Sequence, residues 1–196
     1  MAQHVRIASV YTSLLARGQL TEDQRDRVEI IAEQLDRLQL TIAGLVRWLR
    51  LAESELILCE CDLNRLWAEA TAGLEGGFTH DPLPFVRGDQ SLLTMLLREL
   101  AINAVRYQTS PIRVHIRAEL LDHAWQITIR DRGPGIPASH HEQLLLPLHR
   151  LHTWDDIPGI GMGLAVAQRI AQRHGGSLRI SDGPDGGCTV QVTIPV

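Results

Sequence analysis

Apolar residues at helical spacing dominate the first quarter of the chain. Between Val5 and Leu15 they recur at i, i+3, i+4, i+7 and i+8, which predicts an amphipathic helix that ends before Gly18. A second helix is predicted to begin at Thr21 with a capping box. In a capping box the Thr21 hydroxyl accepts from the Gln24 N–H, and the Gln24 side chain accepts from the Thr21 N–H. Along this helix the apolar residues are spaced alternately three and four apart: Val28, Ile31, Leu35, Leu38, Ile42, Leu45 and Leu49.

This heptad stripe predicts packing against further helices. A stripe of this length is typical of a left-handed supercoil. Because two antiparallel helices cannot cover all of its apolar surface, we expect a second copy of the chain to complete a four-helix bundle. The alternative is that the stripe packs onto the second half of the same chain.

The pattern changes after residue 51, and we place a domain boundary near residue 56. Glycines and prolines between residues 73 and 84 predict loops around a short helix at 63–72. Beyond them the periodicity predicts helices at 90–107 and 164–174, and strands at 112–120, 125–129, 177–180 and 188–194. The order predicts an α+β fold, with a helical domain at 1–55 and a mixed domain at 56–196.

The composition argues against several classes of protein, among them nucleic-acid-binding, membrane-spanning and disulfide-rich proteins. The chain has 196 residues, 44% of them hydrophobic, a net charge of -4 and no lysine, and it has no basic cluster, which argues against nucleic-acid binding. No apolar run approaches the roughly 20 residues of a membrane span, and we expect no export signal. Three cysteines do not form a disulfide framework and fit a reducing cytoplasm.

Two glycine-rich loops carry the candidate chemistry. The first is Asp131-Arg132-Gly133-Pro134-Gly135, and the second, at residues 159–163, runs directly into a helix. A glycine loop ahead of a helix exposes backbone N–H groups that suit phosphate. The second loop lacks the context of a dinucleotide-binding fold, and a phosphate-binding loop of the Gly-Lys-Ser/Thr type is excluded in a chain without lysine.

Three short sequence motifs, at residues 99–107, 131–136 and 159–164, resemble in sequence and order the motifs of the GHKL ATP-binding superfamily. This superfamily includes sensor histidine kinases, gyrase-type ATPases and mismatch-repair ATPases. The strings Arg150-Leu151-His152 and Arg173-His174-Gly175-Gly176 are similar to those of phytochrome-type histidine kinases. This resemblance implies a two-layer α/β sandwich of the Bergerat type, preceded by a helical hairpin that dimerises into a four-helix bundle.

The resemblance also implies a site that binds ATP and Mg²⁺. In it Asn103 matches the Mg²⁺ ligand, Asp131 the carboxylate that accepts from the adenine amino group, and Thr189 a threonine that supports adenine. Arg106 stands where a phosphate contact is expected. The implied ATP-binding residues are Asn103, Arg106, Tyr107, Asp131, Gly133, Gly135, Ile136, Arg150, Gly159, Gly161, Met162, Gly163, Leu164 and Thr189.

Glu99 lies one helical turn before Asn103, so both side chains share a helix face. In the superfamily's hydrolases a Glu at this position orients water, which makes Glu99 the candidate catalytic residue, a general base toward water or an acceptor imidazole. A solvated helix carboxylate is the alternative.

Two departures from the family matter. In the family, a Phe-containing segment usually precedes the lid over the nucleotide, but residues 144–149 have leucines at the expected Phe positions. The family's phosphoacceptor motif, a His followed by an acidic residue early in the first helix, is also missing from this helix. His4 is a weak candidate because Val5 follows it, so no acceptor can be assigned.

These features predict a cytoplasmic, homodimeric protein of histidine-kinase type that uses Mg²⁺-ATP in two-component signalling. Its expected partners are a response-regulator receiver domain or a partner histidine kinase. One alternative is a non-catalytic adaptor or inhibitor that presents the helical stem to either partner; another is an ATPase driven by Glu99.

Overall fold

The computed structural model describes residues 2–108, 111–151, 157, 159–183 and 186–196. The chain divides into two compact units, one that ends at Leu49 and one that begins at Arg50. No helix among the described residues is long and apolar enough to cross a membrane.

The first unit holds the two predicted helices, α1 (Ala2–Ala16) and most of α2 (Glu22–Glu53). The capping box is present, because the Thr21 N–H donates to Gln24 Oε1 at 3.0 Å and the Gln24 N–H donates to Thr21 Oγ1 at 3.4 Å. Gln39 Nε2 donates to Ser9 Oγ at 2.7 Å and so joins α2 to α1.

The hairpin leaves much of its apolar surface in water. Ile31, Leu38 and Leu49 of the heptad stripe are 51%, 45% and 56% exposed in the single chain. Other exposed apolar side chains of this unit are Ile7, Val10, Tyr11, Leu14, Leu15, Ile30, Leu40 and Val46. The stripe is therefore incompletely covered within the chain described.

The second unit is an α+β sandwich. Its helices are α3 (Leu63–Thr71), α4 (Gln90–Arg106) and α5 (Gly163–Arg173). Its five-stranded sheet has the order β2-β4-β5-β7-β6, formed by β2 (Gly77–His80), β4 (Arg113–Leu121), β5 (Ala124–Asp131), β6 (Ser177–Asp182) and β7 (Cys188–Pro195). A two-stranded sheet pairs β1 (Leu58–Asp62) with β3 (Phe85–Asp89). Short 3₁₀ turns at Ala138–His140 and Gln143–Leu145 precede α5.

The hydrophobic core lies between α4, α5 and one face of the large sheet. Alternate strand residues such as Ile116, Ile127 and Ile194 are almost fully buried there, together with Leu96 and Ile170 of the helices. The two layers confirm the predicted α+β sandwich, and α3, α4 and α5 all begin within one residue of their predicted starts.

The sequence analysis predicts loops between residues 73 and 84 and no strand before residue 112, whereas the structure has strand β2 inside that range and strands β1 and β3 outside it. These strands are only four or five residues long, and glycines or prolines flank two of them. Strand β1 pairs antiparallel with β3 and β2 parallel with β4. Pairing with strands distant in sequence thus stabilises strands that the local sequence pattern does not predict.

Candidate functional site

A cleft with about 480 Å³ of empty volume opens between α4, the end of β5 and the start of α5. Its walls combine three polar side chains with a mainly apolar slot. The lining residues are Asn103, Tyr107, Asp131, Pro134, Gly135, Ile136, Leu144, Leu151, Leu164 and Cys188.

Asp131, the last residue of β5, supplies the carboxylate of the cleft. Its Oδ1 accepts hydrogen bonds from the Gly133 N–H at 2.8 Å and from the Cys188 N–H at 3.1 Å. Burial raises the pKa of Asp131, and these two hydrogen bonds offset part of that effect. The fold thus holds one carboxylate in a fixed orientation beside the apolar side chains of the slot.

The first glycine loop needs its glycines for close backbone packing. Gly135 has φ +79°, and a Cβ there would lie 3.2 Å from the carbonyl oxygen of Gly187. A side chain would therefore both strain the turn and press on the backbone that leads into β7.

The second glycine loop is surrounded by the other predicted side chains. A Cβ on Gly159 would lie 2.8 Å from Nη1 of Arg106, and one on Gly163 would lie 3.1 Å from Oε2 of Glu99. The Leu148 N–H donates to the Gly161 carbonyl oxygen at 2.9 Å. The loop is thus packed against α4 on one side and residues 148–150 on the other.

The structure brings most of the predicted residues to one place. Asn103, Tyr107, Asp131, Gly135, Ile136 and Leu164 line the cleft itself. Gly133 binds Asp131, and Met162 is buried where α5 begins. Arg150 donates to the Ile157 carbonyl oxygen and, like Arg106, borders the second glycine loop without lining the cleft.

Thr189 is absent from the described lining of the cleft, although the resemblance places it beside adenine. It is buried, its Oγ1 has no hydrogen-bond partner among the described residues, and it pairs with Arg130 across the strands. Because strand residues alternate between the two faces, Cys188 points into the cleft and Thr189 away from it. Residues that line the cleft but were not among the implied ATP-binding residues are Pro134, Leu144, Leu151 and Cys188.

The remaining predictions fall elsewhere. His4 is exposed in the first turn of α1, within the helical unit. His152, which belongs to one of the family-like strings, lies outside the described residues.

The residues of the cleft fit a purine nucleotide. A carboxylate fixed inside an apolar slot is suited to a flat ring that carries a donor amino group, and the Asn103 amide offers a hard oxygen for Mg²⁺. In the described part of the chain, no group of three or more His, Cys, Asp or Glu side chains could hold a metal ion. A metal bound at Asn103 would take its other ligands from phosphate oxygens and water.

Several known proteins are similar to this chain in sequence. Residues 88–196 match the family described as histidine kinase-, DNA gyrase B-, and HSP90-like ATPase. Cyanobacterial phytochrome A of Nostoc sp. is 27% identical over 188 residues, 92% of this chain and 25% of the relative. The adaptive-response sensory kinase SasA of Prochlorococcus marinus is 32% identical over 145 residues, 73% of this chain and 37% of the relative. The chain spans only 25% and 37% of these two relatives.

Solved histidine kinases share the fold. The mycobacterial sensor histidine kinase MprB superposes with a TM-score of 0.62 at 24% identity, over 71% of this chain and 97% of that one. Full-length ShkA, solved in complex with AMPPNP, superposes with a TM-score of 0.67 at 22% identity, over 100% of this chain and 46% of that one. The chain therefore belongs to the histidine kinase-, DNA gyrase B-, and HSP90-like ATPase family, an ATP-binding fold, and within it to the sensor histidine kinases.

Proposed function

We propose that the chain binds Mg²⁺-ATP in the cleft and acts in two-component phosphotransfer signalling. The observation that carries the proposal is the Asp131 carboxylate, held by two backbone N–H groups within an apolar slot. In this proposal residues 1–55 are the dimerisation stem and residues 56–196 the ATP-binding catalytic domain.

Each part of the cleft has a task in this proposal. Asp131 accepts from the adenine amino group, while Ile136, Leu144 and Leu164 supply apolar contact to the ring. Bound Mg²⁺-ATP supplies the phosphoryl group, with the metal neutralising the charge that develops on it. Asn103 holds the metal, and Arg106 with the N–H groups of residues 159–163 faces phosphate.

Glu99 is the proposed general base. Its carboxylate lies beside the first residue of α5, with Oε2 3.1 Å from the position of a Cβ on Gly163. It precedes Asn103 by one helical turn. From there it can take the proton of a water molecule or of an acceptor imidazole.

The proposed acceptor is a histidine supplied by another protein, or by a larger sensor of which this chain is the core. In α1 only His4 is available, and Val5 follows it instead of an acidic residue. A response-regulator receiver domain or a partner histidine kinase is the expected partner, and a second copy of the chain covers the exposed stripe of α1 and α2. The three cysteines are free, and we place the protein in the reducing cytoplasm.

A second candidate function is that of an adaptor or inhibitor. The exposed apolar side chains of α1 and α2, on helices without an acceptor box, favour it. Such a protein would present its stem to a kinase or a receiver domain and transfer no phosphate.

Calorimetric titration with Mg²⁺ and AMPPNP tests the proposal. We expect saturable binding that Asp131→Asn weakens, because Asn keeps an oxygen for Gly133 and Cys188 but loses the negative charge. Glu142→Gln, at an exposed position, is the matched control and leaves binding unchanged. Absence of binding at millimolar nucleotide would overturn both the kinase and the ATPase and leave the adaptor.

Incubation with γ-labelled ATP distinguishes the kinase, the ATPase and the adaptor. Acid-labile label on an added partner histidine kinase supports the kinase, and release of free phosphate without labelling supports the Glu99-driven ATPase. Nucleotide binding with neither reaction, together with tight binding of a receiver domain or kinase, supports the adaptor.

A further inference from the structure

Two cysteines outside the cleft lie side by side on β1. Cys59 and Cys61 are two residues apart along the strand, so both side chains project to the same face. Their Sγ atoms are 3.6 Å apart, which is van der Waals contact for two sulfurs. Cys59 is exposed and Cys61 is buried.

We propose that Cys59 and Cys61 form a peroxide-sensitive thiol pair, in which hydrogen peroxide oxidises Cys59 and Cys61 then closes an intrastrand disulfide. The inference is independent of the proposed nucleotide binding, since neither cysteine lines the described cleft.

The chemistry balances in two steps. The Cys59 thiolate attacks one peroxide oxygen, the O–O bond breaks, and hydroxide leaves and takes a proton as water, so that Cys59 becomes a sulfenic acid. The Cys61 sulfur then attacks the Cys59 sulfur, and an S–S bond replaces the S–O bond. The departing hydroxide takes the Cys61 proton as a second water. Together the two thiols lose two electrons to one hydrogen peroxide.

Accessibility sets the order of these steps. Burial, and then the neighbouring Cys59, raise the pKa of Cys61 to about 11, so Cys61 stays protonated at neutral pH. Because the thiolate is the reactive form, peroxide is expected to react at the exposed Cys59 and not at Cys61. Cys61 is already in contact with the sulfur that it must attack.

Closing the disulfide must bend β1. Residues i and i+2 of an extended strand have nearly parallel Cα–Cβ bonds, so their Cβ atoms lie roughly 6–7 Å apart, whereas a disulfide brings the two Cβ atoms to about 3.5–4.5 Å. The bend disturbs a strand that pairs with β3 along its length and whose Cys61 Sγ lies 3.3 Å from the Gly88 carbonyl oxygen.

The disturbance reaches the start of α4. The Ile57 N–H donates to Asp89 Oδ2 at 3.1 Å, and Asp89 caps the helix that carries Asn103. Oxidation is therefore expected to loosen the joint between residue 57 and the first turn of α4.

Mass spectrometry of the native chain tests the thiol pair. The protein is treated with hydrogen peroxide, free thiols are alkylated, and trypsin releases both cysteines in the single peptide 51–65. We expect this peptide to lose two hydrogens, to resist alkylation and to recover with dithiothreitol. Cys188 is the internal control and stays alkylatable after unfolding, since it is buried and burial raises its pKa to about 12.

Single variants separate the two steps. In Cys61→Ser we expect the sulfenic acid of Cys59 to accumulate and to be trapped by dimedone, while in Cys59→Ser we expect Cys61 to stay reduced. A wild-type chain that gives only Cys59 sulfinic acid, only disulfides between chains, or no oxidation overturns the proposal.

Hydrogen exchange tests the coupling to α4. In the disulfide form we expect amides of β1, of β3 and of the first turn of α4, including the Leu92 N–H, to exchange at least tenfold faster than in the reduced form. Unchanged exchange in the first turn of α4 would overturn the coupling to α4.

Discussion

At Asp131 the fold buries the carboxylate that the proposed nucleotide needs, and this burial raises its pKa. A carboxyl whose pKa is raised in the folded state contributes stability at pH values below its ordinary titration range. That contribution is lost as pH rises through the raised value. Above its raised pKa the ionised Asp131 therefore lowers the stability of the nucleotide-free fold.

Asp131→Asn is accordingly expected to raise the melting temperature of the nucleotide-free protein at pH 7, and the difference from wild type should shrink below about pH 4. The same variant should weaken AMPPNP binding about 10- to 100-fold, since a hydrogen bond to a charged acceptor is lost. Thermal melts with and without Mg²⁺-AMPPNP measure both effects. A variant that melts lower at pH 7 and binds normally would contradict this account.

Glu99 allows a separate test, because it contacts α5 but does not line the cleft. Glu99→Gln keeps the shape of the side chain and removes its basicity. We expect phosphoryl transfer or phosphate release to fall roughly 100-fold or more while AMPPNP affinity stays the same. If Glu99 only stabilises α5, the melting temperature will fall instead and the rate per folded molecule will not change.

At the scale of elements, the start of α4 depends on one cap. Asp89 Oδ1 accepts from the Leu92 N–H at 3.1 Å and from Ser91 Oγ at 2.7 Å, and Oδ2 accepts from Ile57. Partial burial raises the pKa of Asp89, but the hydrogen bonds from Ser91, Ile57 and Leu92 outweigh it, and the net result is a lowered pKa. The carboxylate form thus joins α4 to the segment before β1.

Asp89→Ala is expected to cost about 1–2 kcal/mol of unfolding free energy, the usual cost of a lost N-cap. The lowered pKa means that this stabilisation is present above the ordinary Asp value of 3.8 and is lost as pH falls through the folded value. Urea titrations from pH 7 to pH 3 should show a smaller loss of stability in Asp89→Asn than in wild type. Equal acid sensitivity of the two proteins would argue against this role.

Strands β1, β2 and β3 show where local patterning fails. Helices α1 to α5 repeat their apolar positions over nine or more residues, so periodicity identifies them. The three short strands are too short to show such a repeat. Strand β1 forms because it pairs with β3, which places Cys59 opposite residue 88. The contact between Cys59 and Cys61 depends on this strand and could not be foreseen from their spacing alone.

For the whole molecule, the exposed stripe of the hairpin predicts self-association. Leu38 is 45% exposed in the single chain, and covering it in two copies of the chain is worth about 3 kcal/mol in total. Leu38→Glu should therefore weaken a dimer about 100-fold in sedimentation velocity. Ala43→Glu, at an exposed position of the same helix on a different face from the stripe, adds the same charge and should leave the dimer intact.

A wild-type chain that remains a monomer at high micromolar concentration would contradict the dimer. It would favour the alternative that another protein covers the hairpin.

The sequence by itself determined the long helices, the capping box of Thr21 and Gln24, the strands β4, β5, β6 and β7, and the family. Each of these is encoded in neighbouring residues, as a period, a cap or a short glycine box. The same information identified Asn103, Asp131 and Gly135 as residues of the cleft.

Only the tertiary structure decided which side chains face the cleft and which lie behind it. Thr189 and Cys188 are neighbours in sequence, yet the pairing of β7 with β5 directs Cys188 into the cleft and Thr189 to the opposite face. The pKa of Asp131 depends equally on burial by elements distant along the chain. The direction and the burial of a side chain result from packing between segments that are distant in sequence, so a local sequence pattern does not predict them.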